Sequence, residues 1–171
     1  MLAWIDIETT GLTLDCQLLS IACVITDNDL NEIDFVEEII HHNVDDLKMT
    51  DYVRGMHTSN GLLNKVQSST TTTLNAEEKV VGLLTKYGKQ NEIYMAGNSI
   101  HFDRKFIEKY LPTVHLYLNY RQVDVSSLKM MCKFWSEIEE FKKQKVHTAL
   151  ADTRESIAEM KYIKFKLFKQ K

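Results

Sequence analysis

No C-x-x-C pair occurs in the chain, whose three cysteines, Cys16, Cys23 and Cys132, are odd in number and widely spaced. That spacing suggests neither a disulfide framework nor a structural zinc site, and a reducing, cytoplasmic setting is expected. No apolar run approaches the roughly 20 residues of a membrane span. The first strand begins so near Met1 that no signal or transit peptide is expected ahead of it. Positive charge is not in excess either: the net charge is −3. A clamp on a long polyanion needs a Lys or Arg for most phosphates it neutralises, so only short or end-bound nucleic acid fits this balance. Also missing are a Walker loop, a G-x-G-x-x-G turn, a G-x-S-x-G elbow and a D-x-D-x-D-G calcium loop. Nucleotide-hydrolysing motors, dinucleotide-dependent oxidoreductases, serine hydrolases and calcium modules all lack their mark.

What is present is an ordinary globular composition, 44% hydrophobic and 26% charged over 171 residues. It is read as one domain over 1–171 with no repeat or linker. Trp4 to Glu8, Leu18 to Ile25 and Ile33 to Ile40 read as three strands of an antiparallel meander. A helical stretch from Val44 to Val66, broken at Gly55 and Gly61, is expected next, then a polar loop over Ser68 to Thr73. A helix opening at Asn75 follows, and a fourth strand lies near Glu92 to Ala96. Arg104 to Leu111 is expected to be a helix stopped by Pro112. A fifth strand lies between Leu116 and Val125, a helix covers Ser126 to Trp135, and a last helix begins near Thr148. Its stripe is Leu150, Ile157, Met160 and Ile163, and Lys161, Lys164, Lys166, Lys169 and Lys171 gather at the end where its dipole favours cations. The order implies an α/β fold: a mixed five-stranded sheet flanked by helices.

Asp6 and Glu8 pose a problem, because alternate strand residues share a face and two like charges buried together cost several kcal/mol per ion unless neutralised. Three further polar segments supply a solution. Gly97-Asn98-Ser99-Ile100-His101-Phe102-Asp103-Arg104 follows a strand and opens a helix. Asp124-Val125-Ser126-Ser127 opens the next. His147-Thr148-Ala149-Leu150-Ala151-Asp152 opens the last. Asp6, Glu8, Asp103 and Asp152 are hard oxygen donors of the kind that hold Mg²⁺ or Mn²⁺, and two such ions steady both oxygens of a phosphoryl displacement. His147, outside that shell, has a side chain suited to taking a proton from water near neutral pH. Singly, each residue has a plainer reading: solvated acids on an edge strand, a helix-capping Asp103, a surface His147.

Taken together, Asp6-Ile7-Glu8-Thr9-Thr10-Gly11-Leu12, the Asp103 segment and His147 to Asp152 resemble the three motifs of the DEDDh 3′-to-5′ exonuclease superfamily. With Gly97-Asn98-Ser99-Ile100, Tyr120-Arg121, Asp124-Val125-Ser126 and Arg154-Glu155-Ser156, the chain is most similar to the oligoribonucleases within it. The resemblance implies a ribonuclease H-like fold and a homodimer that removes nucleotides from the 3′ end of very short RNA, down to dinucleotides. It implies two divalent ions, Mg²⁺ or Mn²⁺, on Asp6, Glu8, Asp103 and Asp152, with His147 as general base. Leu12 would wedge against the bases, Tyr52 would stack on one, and His57 would stand beside the substrate. Ser99, Arg121 and Ser126 would cap the 5′ phosphate, with Tyr120 reaching in from the partner. Thr9, where oligoribonucleases usually carry Met, gives the Glu-Thr-Thr-Gly run of DNA-proofreading relatives. Tyr52 stands for a Trp, His101-Phe102 for a Gly-Gln pair, and Lys145 lies near a usual Gly. Two alternatives therefore stand beside the main reading: a general or proofreading single-strand exonuclease, and a catalytically idle nucleic-acid-binding adaptor on the same fold.

Overall fold

The computed structural model describes residues 1–142 and 147–167. Lys145, Lys169 and Lys171, singled out above, lie outside the described residues. β1 (Leu2–Thr9), β2 (Leu18–Thr26) and β3 (Glu32–Ile39) form the antiparallel meander. β4 (Tyr94–Gly97) joins β1 in parallel on its other side, and β5 (Gln122–Asp124) joins β4 in parallel, giving a five-stranded sheet of order β3-β2-β1-β4-β5. Every residue of β2 is buried, as a continuous apolar run between two neighbours and two covered faces requires.

Between the strands lie a 3₁₀ turn (Val44–Asp46), α1 (Asp51–Ser59), α2 (Leu62–Ser68), α3 (Thr73–Tyr87), α4 (His101–Tyr110), α5 (Pro112–Tyr117) and α6 (Val125–Trp135), and α7 (Ala149–Leu167) comes last. Period two in β1 divides its side chains between two cores. Ile5 and Ile7 join Ile21, Val80, Leu84 and Phe106 in one cluster, whereas Trp4 joins Val24, Val125, Ile157 and Ile163 in the other. Asp6 and Glu8, in register with Trp4, therefore turn toward the face that α7 covers. Their β2 partners are Ala22 and Ser20. Both are small, which leaves room above the sheet for a helix end. Trp4 is fully buried and spends its indole N–H on Thr26 Oγ1 at 2.9 Å. Across the same face Arg154 of α7 forks onto Glu32 at the start of β3, with contacts of 3.0 and 2.8 Å.

Three expectations change. α1 runs through Gly55 without interruption, so only Gly61 breaks the segment, and it does so with a left-handed φ of 77°. Pro112 ends α4 but also opens α5 at its first turn, where the missing N–H costs nothing. The helix expected from Asn75 starts two residues earlier, because Thr72 is the cap and Asn75 the third residue of a reciprocal capping box.

The two glycines make a paired prediction. A Cβ at Gly55 meets nothing within 4 Å, so Gly55→Ala should stabilise the protein by about 0.5–1 kcal/mol through helix propensity. Gly61→Ala, forced into the left-handed region, should cost about 1 kcal/mol. Urea unfolding of both variants checks the opposite signs.

Candidate active site

β1, β4 and β5 are parallel, so their C-terminal ends, at Glu8 and Thr9, Gly97 and Asp124, lie along one edge of the sheet. Ligands of open α/β sheets gather at such an edge. Here Gly97 is needed because a Cβ would come within 2.9 Å of the Ile5 carbonyl oxygen. The chain can then turn sharply into Asn98 and Ser99, the latter with a left-handed φ of 52°.

Asp6 and Glu8 from β1 and Asp152 from the first turn of α7 bring one carboxylate oxygen each to within 4.8 Å of one another. Asp103, buried in the first turn of α4, stands apart from that trio: its Oδ1 accepts the Ile7 backbone N–H at 3.1 Å. Pairing between β1 and β4 stops at Trp4 and Ala96, so Asp103 takes a donor that β4 no longer covers. Burial first, then the charges of Asp152 and Asp103, push the Glu8 carboxyl up to about 8. Burial also raises Asp103, to about 7, against the pull of its backbone hydrogen bonds and with the help of Asp124. Carboxylates so arranged repel one another. A divalent cation would remove the repulsion, and the donor set, all oxygen, suits a hard ion.

His57, in the last turn of α1, is fully buried. Its Nε2 lies 3.0 Å from the Thr9 carbonyl oxygen and its Nδ1 4.0 Å from Glu8 Oε2, and burial lowers its pKa. The ring thus backs Glu8 and forms part of the wall of a largely apolar cleft of about 520 Å³, whose lining includes Leu12, Tyr52, Met56 and Phe102. Leu12 and Tyr52 are 82% and 80% exposed at its rim. His147 is exposed, with φ 57°, and its carbonyl accepts from the Asn60 side chain.

A second cluster sits at the β4 and β5 ends. Ser99 N donates to Asp124 Oδ1 at 3.0 Å and to Ser126 Oγ at 2.9 Å, and the two serine hydroxyls are 3.1 Å apart. Asp124 Oδ1 also takes Ser126 N at 2.9 Å, so it caps α6 and joins the two loops. Arg121 lies 4.5 Å over the Tyr120 ring, and Tyr120 is 71% exposed. Of the residues singled out from the sequence, the acidic trio with Asp103 behind it and the cleft residues gather at this sheet edge. Ser99 and Ser126 form a corner at the C-terminal ends of β4 and β5, whereas Tyr120 and Arg121 precede β5 and so stand toward its N-terminal end. Asn98, Ser156 and Glu159, which tie that corner to α7, carry no role in the sequence reading. Their signal was nonetheless present: Asp152, Ser156 and Glu159 stand at i, i+4 and i+7, a polar line on a helix face that also packs.

The sequence profile of the exonuclease family, RNase T type, matches residues 3–160. The oligoribonuclease of Francisella tularensis subsp. novicida is 39% identical over 169 residues, which is 97% of this chain and 95% of that protein. Among solved structures, S. pombe Pop2p in its Mg²⁺- and Mn²⁺-bound form superposes with a TM-score of 0.73 at 13% identity, over 98% of this chain and 84% of that one. E. coli Exonuclease I in complex with a dA16 oligonucleotide superposes with a TM-score of 0.75 at 13% identity, over 97% of this chain but only 41% of that one. At such identities the structural likeness is one of fold, the ribonuclease H-like mixed sheet. The near full-length match to oligoribonuclease carries more: this chain belongs to the exonuclease family, among its oligoribonucleases.

Proposed function

We propose that residues 1–171 form one exonuclease domain that hydrolyses short RNA from its 3′ end, down to dinucleotides, releasing 5′-mononucleotides. The observation that carries this reading is the trio of Asp6, Glu8 and Asp152, of which Glu8 also lines the Leu12–Tyr52 cleft. Asp6, Glu8 and Asp152 would hold one divalent ion, and Asp6 with Asp103 a second, Mg²⁺ or Mn²⁺. Bound there, the ions supply Lewis-acid stabilisation of phosphoryl charge and lower the pKa of an attacking water. The chain does the rest. His147, exposed beside the trio's helix, takes the proton from that water. Tyr52 offers an aromatic face on which any base stacks, worth about 1–3 kcal/mol, and Leu12 wedges the neighbouring base. His57 holds the inner wall, with its ring against Glu8.

Ser99, Ser126 and Arg121 cap the 5′ phosphate, with the Arg121 guanidinium and the Ser99 hydroxyl as donors suited to an oxyanion and Ser126 holding the Ser99 backbone N–H. Asp124, whose Oδ1 accepts two backbone N–H groups, holds the Ser99 and Ser126 loops together. An end-cap makes a ruler, since a longer strand must pass through groups built to terminate it. The homodimer belongs to the same proposal. Met131, Phe134 and Trp135 on α6 are 46%, 66% and 77% exposed, an apolar face that a second copy would cover, bringing its Tyr120 to the cap. A cytoplasmic location fits the free cysteines, and no described helix is long and apolar enough to cross a membrane.

The test is a length series of 5′-labelled RNA from two to about ten nucleotides, with matching DNA, in Mn²⁺ and in chelator. Turnover should be steepest on the shortest RNA and absent in chelator. Equal rates at every length and for both sugars would instead favour a general single-strand exonuclease, the reading that Thr9 and Thr10 support. Metal-independent binding without turnover would favour an idle adaptor.

A further inference from the structure

Glu159 is 1% exposed beneath the serine corner. A carboxylate so placed costs several kcal/mol unless it is well partnered. One oxygen faces Lys129 Nζ at 3.6 Å, and the other accepts Asn98 Nδ2 at 3.1 Å. The same Nδ2 donates to Ser156 Oγ at 2.8 Å, and Ser156 donates its own hydrogen to the Asp152 carbonyl at 2.9 Å. A carboxylate only accepts, and the Ser156 hydrogen is already used. Both groups therefore demand donors, and the Asn98 amide has one orientation, nitrogen toward α7.

Its oxygen consequently faces Ser126, whose Oγ–H donates to Asn98 Oδ1 at 3.1 Å. With that hydrogen committed, Ser126 Oγ is left to accept the Ser99 N–H at 2.9 Å. The Ser99 hydroxyl, exposed and 3.1 Å from Ser126 Oγ, keeps a hydrogen that can swing outward to an anion. Were the amide to flip, Asn98 would present a donor to Ser126 Oγ in competition with the Ser99 N–H, and the hydroxyls would lose their assigned directions.

We infer that Glu159 and Asn98 are positioning residues that fix which serine hydroxyl in the corner donates to the terminal 5′ phosphate. The inference rests on the end-cap reading of Ser99, Ser126 and Arg121. It gives α7 two tasks in one helix, since Asp152 serves the acidic trio while Glu159, two turns on, orders the far end of the substrate site.

The experiment compares 5′-phosphorylated diadenylate with 5′-hydroxyl diadenylate as substrates for the full chain in Mn²⁺. Glu159→Met keeps the buried volume but removes the acceptor. It should raise KM for the 5′-phosphorylated dinucleotide about tenfold, the scale of one hydrogen bond to a charged group. Its kcat should stay within about twofold, and both constants for the 5′-hydroxyl dinucleotide should be unchanged. Glu159→Gln, whose amide oxygen still accepts from Asn98, should behave as the unaltered protein does. Asn98→Ala, half-exposed and outside the helix packing, should reproduce the selective loss and carries the test if the Met variant does not fold. Equal loss on both substrates, or no change on either, would overturn the relay while leaving the cap in place. An unaltered protein that treats the two dinucleotides alike would overturn the cap reading, and the relay with it.

Discussion

Asp6→Ala should cut hydrolysis of a short RNA by about a thousandfold or more, with the fold retained. The size follows from the several kcal/mol that a divalent ion contributes to a phosphoryl transfer, at tenfold for each 1.36 kcal/mol. Retention of the fold follows from electrostatics. Asp6 is one of three carboxylates whose ligand oxygens lie within 4.8 Å, so removing it from the metal-free protein relieves repulsion. The variant in chelator should melt at or above the temperature of the unaltered protein, although Mn²⁺ should raise its melting point far less. Substantial turnover by a folded Asp6→Ala protein would refute the assignment of the trio as the metal site.

The second large effect is a dependence of stability on pH that runs opposite to common acid denaturation. Glu8 is raised to about 8 and Asp103 to about 7, so between the ordinary carboxylate range and those values the folded chain binds protons that the unfolded chain has released. Stability then falls as pH rises, by up to 1.36 kcal/mol per pH unit for each group. In chelator, urea unfolding should show a loss of up to about 6 kcal/mol from pH 5 to pH 8 if both groups contribute in full. Mn²⁺ should reverse the loss, more strongly at the alkaline end, because binding requires the deprotonated ligands. Glu8→Gln should flatten the profile. A flat profile in the unaltered, metal-free protein would mean that these acids are already neutralised by other means.

Most of this site was legible because strand and helix periodicities are local. Period two placed Asp6 and Glu8 on one face, and the polar segments at 97–104, 124–127 and 147–152 each sat where a strand or loop passes into a helix. Gly55 misled because a glycine weakens a helix without ending it when packing and a Thr50 cap hold the rest. Pro112 misled because the same missing N–H that ends one helix suits the first turn of another. The burial of His57 was not legible. It depends on how the end of β1 packs against α1, a contact between residues 48 apart in sequence. The Glu159–Asn98–Ser126 line is still less local, since it needs the parallel register of β4 and β5 and the placement of α7 to be known first.

The central claim, that carboxylates from β1, α4 and α7 share divalent ions, is tested most directly by anomalous diffraction at the manganese edge from crystals grown with Mn²⁺. Two peaks are predicted, one among Asp6, Glu8 and Asp152 and one between Asp6 and Asp103. Well-ordered carboxylates with no anomalous peak between them at saturating Mn²⁺ would contradict it.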